Sequence, residues 1–264
     1  MATNDAPVVV GHVALIVRDL DKLGDFYRSV VGLEELSADR GTIRLGAGGR
    51  VLLELRGDKA ARRSRGGSGL NHTAFLVPGR GDLGAFLRHF TALGHRLGAA
   101  EDHGASDSLY FSDPEGNGIE VTADTPRELW PRRNGRIAMY ARGLDLRAVA
   151  DDAAGVWRGA PEQTVVGHVH MQVGGIEAAT DFITGPLNME IVQGDGGSMF
   201  YASGGYHHHL AVNAWGVNNS PRPEGEAGLA SVTLQLDPAL YDAAVQKDLR
   251  DPWGTRFVLE RKPG

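Results

Sequence analysis

The chain contains no cysteine, which excludes disulfides and thiolate metal sites. Any metal would have to be held by His, Asp or Glu, donors that suit zinc, iron, manganese or nickel. No apolar run approaches the roughly 18 residues of a membrane span. The opening "MATNDAPVVVGHV" lacks a charged segment followed by an apolar one, so no secretory signal is expected. A sustained basic face is also missing. Net charge is −6, and the basic residues cluster only in "KAARRSR" (59–65) and "PRRNGR" (131–136). These short runs suit solvated loops better than a nucleic-acid footprint. What remains is the composition of a globular protein, 42% hydrophobic and 23% charged, long enough at 264 residues for two domains or one large one. The expectation is a cytoplasmic enzyme with no nucleic-acid or membrane partner.

One pattern occurs four times. The strand-like segments "GHVALIV" (11–17), "LNHTAFLV" (70–77), "GHVHMQV" (167–173) and "LASVTLQL" (229–236) are each followed by helical periodicity. In the first case Leu20, Leu23, Phe26, Tyr27 and Val30 fall at helix spacing, and in the third Ile176, Ala179, Phe182 and Ile183 do so. Short strands with Gly-rich turns come next, such as "SLYFSDPEGNGIEVT" (108–122) and "SMFYASGGYHHHLAVN" (198–213). The reading is α+β, built from four βαβββ modules. Modules one and two fill residues 1–123, a linker with one short helix occupies 124–164, and modules three and four fill 165–264.

Strand alternation assigns faces. His168, His170 and Gln172 oppose Val169, Met171 and Val173, while Glu120 opposes Ile119 and Val121. The run "YHHHLAVN" reads as a strand, so His208 shares a face with Leu210 and Val212, whereas His207 and His209 share theirs with Ala211. The three histidines therefore do not act as one cluster.

The motif "DHGASDSLYFSDPEGNGIEV" (102–121), then "ADTPRELW", "GHVHMQV" and "GGYHHHLAVN", resembles the vicinal oxygen chelate superfamily of glyoxalases, bleomycin resistance proteins and extradiol dioxygenases. Within it the chain is most similar to the two-domain catechol 2,3-dioxygenases. The resemblance covers nearly the whole chain. It implies two glyoxalase-like domains whose modules form half-open barrels around a metal site. It also implies Fe(II), with Mn(II) compatible, held by two His and one carboxylate.

On this resemblance the metal residues are His72, Glu120 and a third ligand that depends on module pairing. Pairing one with two brings His12, with Glu54 as a fourth, and resembles a glyoxalase I site. Pairing two with three brings His168 and places His208 as catalytic base, and this pairing is favoured. His103 and Tyr110 would hydrogen-bond the substrate. His170, His207 and His209 read as surface or supporting residues. Module four has Ser231 and Val258 where a ligand pair belongs, a departure from the commonest extradiol layout. The implied activity is extradiol (meta) cleavage of catechol or a small substituted catechol with O2, giving a 2-hydroxymuconic semialdehyde-type product, as in aromatic hydrocarbon catabolism. The alternatives are a glyoxalase I-like lyase or isomerase and a metal-free drug-binding resistance protein. The partners implied are a small aromatic diol and O2, and a homo-oligomer is compatible.

Overall fold

The computed structural model describes residues 2–63, 66–215, 220–221 and 223–263. Module one runs through β1 (Val8–Val17), α1 (Leu20–Phe26), β2 (Glu34–Asp39), β3 (Thr42–Ala47) and β4 (Arg50–Gly57). Module two follows with β5 (Gly69–Leu76), α2 (Arg80–Ala92), β6 (Ala99–Asp102), β7 (Ser106–Ser112) and β8 (Gly118–Asp124). The connecting segment holds β9 (Arg132–Arg133), β10 (Arg136–Ile137), β11 (Arg142–Gly143) and α3 (Leu146–Asp151). Module three is β12 (Val165–Gln172), α4 (Ile176–Thr184), β13 (Glu190–Gly194), β14 (Ser198–Ala202) and β15 (Leu210–Asn213). Module four, β16 (Gly228–Leu236), α5 (Pro238–Ala243), β17 (Asp248–Arg250) and β18 (Arg256–Arg261), has two strands after its helix where the repeat leads one to expect three. No helix among the described residues is long and apolar enough to cross a membrane.

The modules pair out of sequence order. One sheet runs β17-β18-β16-β1-β4-β3-β2, joining modules four and one. The other runs β11-β6-β7-β8-β5-β12-β15-β14-β13, joining modules two and three. In each sheet the seam is antiparallel and formed by the modules' first strands, β1 with β16 and β5 with β12. Each sheet therefore spans both sides of the 124–164 segment. That segment also adds β11 to the edge of the second sheet, against β6.

Alternation explains the layering. Val169, Met171, Leu210 and Val212 are buried in one continuous apolar cluster with Val13, Leu15, Val232 and Leu234 of the other sheet and with helix residues such as Leu23, Phe86 and Ile183. The opposite face of the nine-stranded sheet carries His168, His170, His72 and Glu120. The turn "DPEGNG" is built by its own side chains: Asp113 Oδ1 accepts the backbone N–H groups of Glu115 at 2.8 Å and Asn117 at 2.9 Å. Glu115 in turn accepts from the backbone N–H groups of Arg18 at 2.9 Å and Asp19 at 2.8 Å. The hairpin that carries Glu120 is thereby tied to module one.

Candidate functional site

Register brings three donors together. β5 and β12 are antiparallel, with His72 opposite His170 and His168 opposite Ala74; β5 and β8 are parallel, with Ala74 beside Glu120. His72 Nε2 lies 3.0 Å from Glu120 Oε2, His168 Nε2 lies 2.9 Å from the same oxygen, and the two Nε2 atoms are 3.3 Å apart. Three ligands at right angles around an ion, with bonds of about 2.1 Å, have donor atoms about 3.0 Å apart, against about 3.4 Å in a tetrahedral set. The two nitrogen–oxygen spacings equal those of an octahedral face, and the nitrogen–nitrogen spacing of 3.3 Å lies between the two geometries.

The electrostatics ask for a cation at this point. Glu120 is only 1% exposed. Burial alone would raise its pKa, but His168 and His72 outweigh burial and hold the carboxyl well below its usual range. Burial pushes the His72 pKa down, favouring neutral imidazole. Its Nδ1–H donates to Asn71 Oδ1 at 3.1 Å, so in the neutral ring Nε2 is a lone pair aimed at a carboxylate oxygen. Two confronting lone pairs are stabilised by a positive charge between them. Among the described residues, this is the one group of His and acidic side chains with metal-ligand convergence. The donor set thus fits a divalent ion.

Around these donors lie the other residues singled out from the sequence. Tyr110 is on β7, opposite Glu120 in register, with its ring 5.3 Å from that of His72. Burial, with Glu120 and Glu101 nearby, pushes its pKa well up, so it stays a phenol. Its O–H donates to His103 Nε2 at 2.8 Å, while His103 Nδ1–H donates to the Tyr140 carbonyl at 2.9 Å. The connecting segment therefore fixes the tautomer of His103. On the other side the His208 ring lies 4.0 Å from that of His168 and 5.2 Å from that of Phe200.

His208 reaches this face by a route that alternation does not describe. β15 begins at Leu210, so the histidine run is not strand. Leu210 and Val212, assigned to the face of His208, lie in the apolar core behind the sheet. The consecutive left-handed residues Gly204 (φ 63°) and Gly205 (φ 66°) open an irregular approach that resets the facing before β15. His170, His207 and His209 are buried, which excludes the surface reading. His170 packs 4.9 Å from His72 and accepts from Asn213 Nδ2 at 3.0 Å.

His12, the alternative third ligand, is not in this group. It lies on β1 in the other sheet, 3.2 Å from the Thr233 hydroxyl. Glu54 of that sheet is held by Arg44 at 2.7 Å and Arg56 at 2.6 Å. Burial pushes the Glu54 pKa up, but Arg56 and Arg44 bring it below its usual value. The set His12, Glu54, His72 and Glu120 is not assembled, because module one pairs with module four.

Three supporting residues escaped the sequence reading. Ser108 donates to Glu120 Oε1 at 2.6 Å, and Asp124 bonds His207 Nε2 at 2.9 Å. Asn213 is the third. Alternation contained the signal for two of them: Ser108 is two residues from Tyr110, and Asp124 is four from Glu120.

Residues 9–121 match the family model for the Glyoxalase/Bleomycin resistance protein/Dioxygenase superfamily. A catechol-2,3-dioxygenase from Bacillus subtilis is 36% identical over 239 residues, covering 86% of this chain and 82% of the relative. A biphenyl-2,3-diol 1,2-dioxygenase from Rhodococcus globerulus is 34% identical over 76 residues, 28% of this chain and 40% of that protein. Among solved structures, one from Bacillus subtilis superposes with TM-score 0.67 at 15% identity, covering 97% of this chain and 86% of its own. Glyoxalase I from Zea mays does so with TM-score 0.59 at 17% identity, covering 98% and 94%. These two speak for the fold, while the Bacillus relative aligned along most of both chains carries the kinship. The chain belongs to the glyoxalase/bleomycin resistance protein/dioxygenase superfamily.

Proposed function

We propose that the protein is an extradiol ring-cleaving dioxygenase that opens catechol or a small substituted catechol with O2, using Fe(II) held by His72, His168 and Glu120. The observation that carries this reading is the convergence of those three donors, 2.9, 3.0 and 3.3 Å apart, flanked by His208 on one side and the Tyr110–His103 pair on the other. A single carboxylate with two imidazoles is the donor set of non-haem Fe(II) oxygenases and leaves positions open for two ligands besides. The name of the Bacillus relative points the same way. Bound there, the metal would chelate both oxygens of the diol and supply the redox chemistry with O2.

The protein's own groups then have defined tasks. His208 is placed to take a proton from a substrate hydroxyl, and burial keeps its ring neutral by pushing its pKa well down. Tyr110, which already donates its proton to His103, offers oxygen lone pairs to the second hydroxyl. His103 is held by the Tyr140 carbonyl, so the pair keeps its orientation during turnover. Phe200, edge-on to His208 at 5.2 Å, gives the ring of an aromatic substrate an apolar neighbour.

Anaerobic loading with Fe(II), followed by catechol and air, tests this directly. A yellow semialdehyde is the expected product. Absence of colour with catechol and its methyl and chloro derivatives, together with thiol-dependent ketoaldehyde turnover by the Zn- or Ni-loaded protein, would overturn it.

A further inference from the structure

The histidine run also carries a hydrogen-bond chain behind the base. Asp124 ends β8, and its Oδ1 lies 2.9 Å from His207 Nε2. Three strand spacings, about 14 Å, separate β8 from β15 in the sheet order, so the sheet must curl to bring these residues together. A carboxylate only accepts, so His207 carries a proton on Nε2. In the neutral ring His207 Nδ1 is then a lone pair, and it faces His208 Nδ1 at 2.8 Å. One proton fits between two imidazole nitrogens at this distance, and His208 supplies it.

With its proton on Nδ1, His208 has a bare Nε2. That nitrogen makes no hydrogen bond among the described residues, and the ring packs on His168. Asp124 is itself anchored: the Tyr206 hydroxyl donates to its two oxygens at 3.0 and 3.2 Å. The Trp130 ring stands edge-on to His207 at 5.1 Å. His207 is 1% exposed, so water does not compete for these bonds.

We propose that Asp124 and His207 are positioning residues that fix the tautomer of His208, leaving Nε2 free to accept the proton of a substrate hydroxyl. The use of that proton rests on the dioxygenase reading, whereas the tautomer does not. In the step itself the O–H bond breaks, its electron pair stays on oxygen and an N–H bond forms on Nε2. The imidazolium that results keeps donating Nδ1–H to His207. In the opposite tautomer Nε2 already bears hydrogen and cannot accept. The logic is that of a base oriented by a third group.

The test is 15N NMR of the histidine-labelled, metal-free protein, with His208 assigned by its loss in His208→Ala. The wild-type protein is expected to show a protonated Nδ1 and a bare Nε2 on His208. In Asp124→Asn the amide can donate to His207 Nε2 and reverse the chain. The signal should then move toward the other tautomer. In the Fe(II)-loaded enzyme kcat should fall about 10²-fold or more, with metal content and KM unchanged. On a His208→Ala background the same substitution should cost nothing further. A wild-type proton on Nε2 overturns the proposal, as does an equal loss in both backgrounds. A wild-type enzyme inactive on catechol would sink the dioxygenase reading and leave the NMR result to decide this one.

Discussion

The Ser108 hydroxyl donates to Glu120 Oε1 at 2.6 Å, while the other oxygen of the same carboxylate faces both imidazoles. In the proposed site Ser108 would thereby set which oxygen of Glu120 faces the metal. Ser108→Ala should weaken metal binding about 10- to 100-fold, the usual cost of losing an outer partner of a ligand, with the fold intact. Titration of the metal-free protein with Fe(II) or Mn(II) measures it, and unchanged affinity would remove Ser108 from the site.

His12 and His72 occupy corresponding positions in modules one and two, yet only His72 converges with Glu120. His12→Ala should therefore leave metal content and turnover at the wild-type level, whereas His72→Ala should lose both. Elemental analysis after loading, paired with the catechol assay, separates the two. Metal loss in His12→Ala would revive the glyoxalase-type arrangement.

The repeat, the strand faces of β12 and the Glu120 turn were legible because period-2 alternation and turn chemistry are local properties. Pairing of module two with three rests on chemistry, because His168 and His208 of module three complement His72, Glu120, Tyr110 and His103 of module two. The seam itself is made by strands nearly 100 residues apart that local pattern does not link. The facing of His208 was not legible. It depends on two left-handed glycines and an irregular approach to β15, so a rule that holds inside strands failed just outside one. Alternation puts Asp124 on the face of Glu120, but its partner His207 lies across a curled sheet, which local pattern does not link.

Removal of metal should destabilise the protein. On the proposed reading the native site holds the ion through three donors, His72, His168 and Glu120, that the unfolded chain does not hold together. At free metal a hundredfold above Kd the contribution is about 2.7 kcal/mol. For a chain of 264 residues that corresponds to a thermal midpoint about 5–10 °C higher than with chelator. Glu120→Gln should abolish the metal-dependent increment. Calorimetry with Mn(II) and with EDTA provides the comparison, and identical midpoints for the wild-type protein would contradict a tight site.

Acid stability should depend on His209. Its Nδ1 accepts from the Ser203 backbone N–H at 3.2 Å and its Nε2–H donates to the Thr3 hydroxyl at 3.0 Å, so both nitrogens are committed in the neutral form. Burial pushes its pKa from 6.5 down to about 3. As pH falls through 6.5 the unfolded chain takes up this proton and the native protein does not, so stability is full above 6.5 and is lost progressively toward pH 3. The loss is on the order of 5 kcal/mol over that window. Buried His170 and His208, whose pKa values are also pushed down, act in the same direction. His209→Asn keeps an acceptor for Ser203 but cannot titrate. Urea unfolding should show a lower stability for this variant at pH 7.5 and a shallower decline between pH 6 and 4. An unchanged slope would show that His209 takes up its proton in the native state.

Gly118 sits beside His72 in the parallel β5–β8 pairing, and a Cβ there would fall 1.9 Å from the Asn71 carbonyl oxygen. Neither backbone can yield without parting the two strands that carry His72 and Glu120. Gly118→Ala should therefore cost about 1–3 kcal/mol of stability from overpacking. Its larger effect should be on function, because Glu120 lies two residues along the displaced strand and a shift of about 1 Å in a reacting group can cost about 10²-fold in rate. Thermal unfolding and single-turnover kinetics on the same preparation separate the two effects. Full stability with full turnover would mean that β8 accommodates the methyl group and that the close approach at Gly118 does not set the position of Glu120.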